Sequence, residues 1–204
     1  MVSAGRAAIA ALVALWLAAV LGGSWWLWRY KSDPGAEPAT AARWPVAGGA
    51  AGPVRSTTLP TLVVFIHPEC PCSRATLREL GRLLDAAGDK VATHIVFVRP
   101  GGEKTGWERG ENWDIAAALP GASVHIDQDG ATATAFGVLT SGHTLLYDRD
   151  GRQRFSGGIT AARGHEGDST GHSMVADMLL RGRDGTAMTP VFGCALRDRG
   201  EPGS

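Results

Sequence analysis

The sequence predicts an α/β domain with a mixed central sheet and flanking helices, preceded by one apolar helix. Residues Thr61–Ile66 form an unbroken apolar run rich in β-branched side chains, typical of a strand buried on both faces of a sheet. Leucines then recur at helical spacing over Leu77–Leu84, and Val91–Val98 is a second apolar run, so the three segments predict a βαβ unit. An Asp-Gly turn at 148–151, flanked by short apolar runs, predicts an antiparallel hairpin and so makes the sheet mixed.

The N-terminal part of the chain predicts a membrane anchor. Residues 7–28 are apolar and uncharged, roughly 22 residues against the ~20 that a helix needs to cross the hydrocarbon layer. A cleaved signal peptide is the alternative, with a cleavage site at 22–24, but the tryptophans and tyrosine that follow are typical of a membrane–water interface. We expect a tail at 1–6, a transmembrane signal anchor at 7–28 and an extracytoplasmic domain.

Two further boundaries follow from composition. Residues 29–58 are rich in Pro, Gly, Ala and Thr without an apolar period, which predicts a flexible linker. Residues 59–204 are long enough to form one domain with its own core.

Charge and cysteine content narrow the classes of function. The formal net charge is +0 at pH 7, so a nucleic-acid partner is not expected. The 3 cysteines are too few for a small disulfide-stapled fold, and their odd number leaves at least one without a cysteine partner inside the chain. Phosphate-loop, GxSxG and HExxH motifs are absent from the sequence.

Cys70 and Cys72 lie where the first strand meets the first helix of the domain. A thiol at a helix N-terminus is stabilised as thiolate by free N–H groups and the helix dipole. If Pro71 is the first helical residue, Cys70 is the N-cap and the best nucleophile. His67 and Ser73 are close in sequence and are candidates to tune the thiol or to move protons. The alternative is a pair of inert thiols in a turn.

Cys194 lies far from this turn in the sequence, in the segment TPVFGCAL. Three roles stay open for it: a resolving partner for Cys70 or Cys72, a third soft metal ligand, or a buried apolar side chain.

Three motifs give the chain a family resemblance. They are VVFIHPECPCS, HIDQDGATATAFGV and TSGHTLLYDRDGRQRFSGG. Together they resemble the membrane-anchored bacterial thioredoxin-like proteins of the TlpA and ResA type, over roughly 59–178. The CPCS and FSGGIT signatures are also shared with the RedB-like group. The resemblance implies a thioredoxin-like fold, thiol–disulfide exchange with a protein partner, no organic cofactor, and a place on the periplasmic side of the bacterial inner membrane.

Two positions depart from the family pattern. The family has Cys-x-x-Cys, whereas this chain has Cys70-Pro71-Cys72, so that Ser73 stands at the second family cysteine. The cis-proline that faces the family's disulfide is replaced by Gly142, with His143 beside it. We therefore treat Gly142 and His143 as the candidate substrate loop, and the missing proline leaves room for a metal.

Three functions follow as hypotheses. The first is thiol–disulfide exchange, in which Cys70 attacks a partner disulfide and Cys72 or Cys194 resolves the mixed disulfide. The second is binding or delivery of Cu(I) or Zn by Cys70, Cys72 and Cys194, with His67 or His143. The third is a thioredoxin-fold assembly factor without exchange activity.

Overall fold

The computed structural model describes residues 2–36, 39–45 and 52–197. Expectations for Met1, 37–38, 46–51 and 198–204, which belong to the predicted tail, linker and domain, lie outside these described residues. The chain divides into two compact units, Met1–Asp33 and Pro34–Ser204, and each is described by itself.

The first unit is one helix, α1 (Val2–Ser32). From Gly5 to Ser32 it is long and apolar enough to cross a membrane, properties that a signal sequence shares. The helix begins before and ends after the predicted span 7–28, so most of the expected tail and the first linker residues are helical. Arginine and lysine, at Arg6, Arg29 and Lys31, are good helix formers and favour the extension.

The second unit has a thioredoxin-like fold, a mixed α/β sheet with helices on both faces. The strands lie in the order β3-β2-β1-β4-β5-β6. Neighbours β1/β2, β2/β3 and β5/β6 are parallel, and β1/β4 and β4/β5 are antiparallel. The elements are β1 (Thr61–Ile66), α2 (Ser73–Ala87), β2 (Ala92–Arg99), α3 (Glu111–Ala117), β3 (Ala122–Gln128), α4 (Ala131–Phe136), β4 (His143–Tyr147), β5 (Gln153–Gly158), α5 (Thr170–Leu180) and β6 (Ala187–Met188).

A separate apolar core covers each face of the sheet. Alternate residues of β1 point to opposite faces, as the pleat requires, and the whole strand is buried. Leu62, Val64 and Ile66 join the core that includes the leucines of α2. Val63 and Phe65 join the core that contains Phe136 of α4. The predicted apolar run is therefore the centre of the domain.

The segment before β1 differs from the predicted flexible linker. The Gly35 N–H donates to the Val191 carbonyl at 2.7 Å, and the Tyr147 hydroxyl donates to the Ala41 carbonyl at 2.8 Å. The Trp44 ring packs edge-on against Tyr147, with 5.3 Å between ring centroids. Residues 34–36 and 39–45 thus contact the domain, because Trp44 buries apolar surface there and backbone groups find partners.

The carboxylate of Asp127 holds the first turn of α4. Its buried carboxylate accepts hydrogen bonds from the N–H groups of Thr132 (2.7 Å) and Ala133 (2.8 Å), in the first turn of α4. Asp127→Ala leaves both donors without this acceptor, so we expect a loss of about 2–4 kcal/mol in the free energy of unfolding. Urea unfolding of the full chain in detergent, followed by tryptophan fluorescence, measures it.

The matched control is Asp129→Asn. Asp129 is exposed and has φ 58, a backbone conformation that asparagine tolerates well. Its unfolding should match that of the wild type within about 0.5 kcal/mol. Equal stability of the two variants would contradict the role given to Asp127.

Candidate functional site

Cys70 and Cys72 lie in a tight turn between β1 and α2. The Ser73 N–H donates to the Cys70 carbonyl at 3.1 Å, which closes the turn immediately before the helix begins at Ser73. Cys72 is therefore the N-cap residue, and the prediction that Cys70 takes this position is wrong. The helix starts later than Pro71 because the chain first completes this turn.

Asn112, on α3, holds the turn from the side. Its amide Nδ2 donates to the carbonyl oxygens of Pro68 at 2.8 Å and Cys70 at 3.0 Å. The side chain is buried. Two hydrogen bonds from one buried amide fix the turn relative to α3, so Asn112 is a positioning residue for Cys70.

The C-terminal segment brings Cys194 to this turn. Residues 193–197 lie antiparallel to the loop before β4: the Ser141 N–H donates to the Cys194 carbonyl at 2.8 Å, and the Leu196 N–H donates to the Leu139 carbonyl at 2.9 Å. Gly193 is required here because a Cβ atom on it would collide with the Ser141 carbonyl. Leu196 is fully buried and secures the segment in the core.

Cys70 is the most acidic of the three thiols. Its pKa is lowered to about 4, chiefly by a hydrogen bond from the Cys194 thiol. Burial opposes this shift, while the Ser73 hydroxyl and the backbone N–H groups of Cys194 and Cys72 add to it. Donors that point at the charged form stabilise it, so Cys70 is a thiolate at neutral pH. Its pKa depends more on Cys194 than on the helix terminus.

The other two thiols are held neutral. Burial, followed by the negative charge of Cys70, raises the pKa of Cys72, and the Arg163 guanidinium beside it acts in the opposite direction. The hydrogen bond to Cys70 and burial raise the pKa of Cys194. The site therefore holds one thiolate and two thiol donors. Cys70 is 1% exposed, whereas Cys72 and Cys194 are partly exposed.

A chain of hydroxyl groups connects Cys70 to the loop before β4. The His67 N–H donates to Ser141 Oγ at 2.7 Å, and Ser141 Oγ lies 2.7 Å from Ser73 Oγ. Because Ser73 donates to Cys70, Ser141 is the donor to Ser73. Ser73, at the position of the second family cysteine, thus contributes a hydrogen bond rather than a second sulfur.

The remaining predicted site residues lie around this cluster without joining it. The contacts of the His67 ring are with the Glu69 N–H at 3.2 Å and with Trp107, 5.7 Å away between ring centroids. The His143 ring is buried, and its Nε2 lies 2.9 Å from Ser156 Oγ rather than against a cysteine. The candidate substrate loop therefore does not bring His143 to the thiols.

Gly142 fits the loop for a steric reason. Its φ is +87°, and a Cβ atom there would lie 2.9 Å from Thr76 Oγ1. The Gly142 N–H donates to the Phe65 carbonyl at 2.7 Å, which ties the loop to the end of β1. Only glycine adopts this conformation readily.

Metal binding was the other chemistry expected here. Within the described part of the chain, no three His, Cys, Asp or Glu side chains are arranged to hold a metal ion. The thiols of Cys70, Cys72 and Cys194 are near one another, but their contacts are hydrogen bonds centred on Cys70. A Cu(I) or Zn site built from these residues stays a prediction.

Comparison with known proteins places the fold but not a family. No family model matches the chain, and no curated protein matches it either. Among solved structures, the chain is similar to a hypothetical protein from Sinorhizobium meliloti, with a TM-score of 0.56 and 22% identity over 81% of this chain and 96% of that one. An uncharacterized conserved protein from Geobacillus kaustophilus has a TM-score of 0.58 and 19% identity over 84% and 94%.

A weaker likeness extends to a named oxidoreductase. It is a secreted disulfide oxidoreductase from Mycobacterium tuberculosis, described as homologous to E. coli DsbE, with a TM-score of 0.42 and 14% identity over 62% of this chain and 83% of that one. At these identities the likenesses concern the fold alone.

Sequence reasoning missed Asn112, Ser141 and Arg163. Arg163 donates to the Gly193 carbonyl and lies beside Cys72, so it links the loop after β5 to the C-terminal segment. All three contacts join residues far apart in the chain. The only local signals were a serine directly before Gly142 and a single arginine in the glycine-rich segment after β5.

The hydrogen bond from Cys194 to Cys70 is tested by two variants in a Cys72→Ser background. Cys194→Ala removes the donor and should raise the pKa of Cys70 toward the ordinary value of about 8.5. Cys194→Ser keeps a hydroxyl donor and should leave the pKa low. Thiolate absorbance at 240 nm, measured against pH, reports the difference. Indistinguishable titrations of the two variants would count against this hydrogen bond.

His143 predicts a pH-dependent stability. Burial lowers its pKa to about 4, from 6.5 for the ordinary side chain. Between these values the unfolded chain binds a proton that the folded chain does not. The free energy of unfolding that neutral, buried His143 contributes is therefore fully present above pH 6.5 and is lost as the pH falls toward 4. The loss amounts to about 3 kcal/mol.

Urea unfolding of the full chain at pH 7.0 and pH 4.5 measures this effect. His143→Gln removes the titrating group and should flatten the pH dependence relative to the wild type. His165→Gln, at an exposed position, should not. Identical pH dependence in wild type and His143→Gln would refute the assignment.

Proposed function

We propose that the chain is a membrane-tethered thiol–disulfide oxidoreductase in which Cys70 and Cys194 form the redox pair. The observation that carries the proposal is the hydrogen bond between these two thiols, which lowers the pKa of Cys70 to about 4. Two sulfurs in hydrogen-bond contact need little movement to form a disulfide, and one of them is already a thiolate.

The exposure of the thiols assigns their roles. Cys70 is almost completely buried, whereas Cys194 is partly exposed, so a partner sulfur reaches Cys194 first. A sulfur with a low pKa is the better leaving group in exchange. Cys194 is therefore the sulfur that bonds the partner, and Cys70 is the internal sulfur that leaves or resolves. This exchanges the roles expected from the sequence.

The reaction from the oxidised chain has two steps. A partner thiolate attacks Sγ of Cys194, the Cys70–Cys194 bond breaks, and Cys70 leaves as thiolate. A second partner thiolate then attacks the partner sulfur of the mixed disulfide. This releases Cys194, which takes up a proton. Two partner thiols become one disulfide, the chain gains two electrons and one proton, and one proton is released. The reverse steps reoxidise the chain with a disulfide-bearing partner.

Stabilisation of the reduced form favours this direction. The hydrogen bonds that the Cys70 thiolate accepts stabilise the dithiol state relative to the disulfide. A couple with a stabilised reduced form is a stronger oxidant. The proposed activity is thus donation of a disulfide to thiols of a protein partner, on the extracytoplasmic side, with α1 as anchor.

The proposal also accounts for Cys72. Its raised pKa keeps it a neutral thiol, and it donates a hydrogen bond to Cys70. Cys72 therefore supports the thiolate without entering the redox pair.

Metal binding is the second candidate, because three soft sulfur donors lie together at this site. Among the described residues no three possible ligands already surround a common centre, so binding would involve a shift of the turn or of the C-terminal segment. Elemental analysis for copper and zinc on anaerobically purified chain tests it directly. A stoichiometric metal that chelators remove only slowly would replace the exchange proposal.

The exchange proposal is tested with full-length chain in detergent, oxidised and then mixed with a reduced, unfolded protein. We expect stoichiometric disulfide transfer by the wild type and by the matched control Cys72→Ala. Cys70→Ala and Cys194→Ala should each reduce transfer at least a hundredfold, since each lacks half of the redox pair.

A different pattern would contradict the assignment. Full transfer by Cys194→Ala together with loss in Cys72→Ala would make Cys70 and Cys72 the redox pair. Absence of transfer by a wild-type chain whose cysteines are oxidised would leave the assembly-factor hypothesis.

A further inference from the structure

Residues 34–36 contact the C-terminal segment, and we call them the strap. The Gly35 N–H donates to the Val191 carbonyl at 2.7 Å. Val191 is buried and lies three residues before Cys194 in the chain. The strap begins at Pro34, two residues after the end of α1. This hydrogen bond therefore ties the start of the domain to the segment that presents Cys194.

Thr140 joins the strap to the loop before β4. Its Oγ1 donates to the Ala36 carbonyl at 3.0 Å, and its backbone pairs antiparallel with that of Ala195, the residue after Cys194. The threonine is buried, so removing its hydroxyl leaves the carbonyl without this donor. One residue thus contacts the strap through its side chain and the Cys194 segment through its backbone.

The contact between the strap and Thr140 is close. A Cβ atom on Gly35 would lie 2.4 Å from Thr140 Cγ2 and 2.5 Å from Thr140 Oγ1. Both branches of the threonine face this point, so every staggered χ1 rotamer leaves at least one heavy atom near it. Any side chain at position 35 would therefore displace the strap or the threonine.

We propose that the strap and Thr140 hold Cys194 against Cys70, which makes Thr140 a positioning residue for the redox pair. The inference rests on the proposed function and adds what keeps its two sulfurs together. Reacting groups that the structure holds in contact react at a high effective concentration. Burial of Leu196 fixes the segment after Cys194, and the strap fixes it before and beside Cys194.

The test measures how readily Cys70 closes the disulfide with Cys194. Full-length chain in detergent, carrying Cys72→Ser, is equilibrated with reduced and oxidised glutathione as the probe, quenched in acid and analysed by mass spectrometry. The measured quantity is the ratio of glutathione mixed disulfide at Cys194 to Cys70–Cys194 disulfide. In the mixed disulfide Cys194 has no thiol proton to donate, so the ratio reports its position rather than its effect on the acidity of Cys70.

Two changes weaken the contact in different ways. Thr140→Val removes the hydroxyl at nearly constant volume and should raise the ratio about fivefold, as expected for one lost hydrogen bond. Thr140→Ser keeps the hydroxyl and should restore most of the closure. Gly35→Ala displaces the strap and loses both hydrogen bonds, so we expect a rise of about twentyfold.

Matched controls exist for both changes. Thr134→Val removes a hydroxyl that donates to the Gly130 carbonyl at 2.7 Å, at the start of α4. Gly5→Ala adds a methyl group where a Cβ atom meets nothing within 4 Å. Neither should change the ratio. An unchanged ratio in Thr140→Val and Gly35→Ala would overturn the inference, and so would an equal rise in Thr134→Val and Thr140→Val.

Failure of this inference is distinguishable from failure of the proposed function. If the Cys70–Cys194 disulfide forms and the ratio does not respond to these variants, only the inference fails. If no such disulfide forms, the proposed function fails, and thiolate absorbance against pH then decides the inference. A higher pKa of Cys70 in Thr140→Val than in Thr140→Ser supports the positioning role, and equal pKa values overturn it.

Discussion

The hydrogen bond from the Cys194 thiol to Cys70 is the interaction on which the rest of the site depends. It supplies the largest part of the lowered pKa of Cys70 and raises the pKa of Cys194, so it separates one thiolate from one thiol. The bond exists because the C-terminal segment pairs with the loop before β4 through the Ser141 N–H and Leu139 carbonyl. Burial of Leu196 then stabilises that pairing. Chemistry at the turn is therefore set by a segment distant in sequence.

Hydrogen bonds also hold the turn that carries Cys70. Asn112 binds two carbonyls of the turn, and Ser141 binds both His67 N–H and Ser73 Oγ. These hydrogen bonds lie among buried groups, where an unpaired donor or acceptor costs about 1–3 kcal/mol, so the arrangement is strongly preferred over alternatives. Ser73, which stands where the family that the sequence resembles has a second cysteine, contributes a donor. The sulfur that meets Cys70 comes instead from Cys194, on the C-terminal segment.

Much of the fold follows from local sequence signals. The apolar run at β1, the Asp127 motif before α4 and the hairpin turn at 148–151 each depend on neighbouring residues, and the structure contains all three. The site depends instead on pairings between distant segments. Nothing local indicates that Cys194 meets Cys70, or that Trp44 packs against the domain, because an extended segment without periodicity carries no signal for its partner. The prediction of Cys70 as the N-cap of α2 was wrong for the same reason, because the turn over 70–73 is held by Asn112, which is distant in the sequence.

The central claim is that Cys70 and Cys194 form an oxidising redox pair, and the reduction potential of the chain tests it most directly. Full-length chain is equilibrated in glutathione buffers of defined potential, and its disulfides are identified by proteolysis and mass spectrometry. The account predicts a Cys70–Cys194 disulfide with a potential above about −200 mV, toward the values of oxidising thiol proteins. A Cys70–Cys72 disulfide, or a potential near the −270 mV of a reducing thioredoxin, would contradict it.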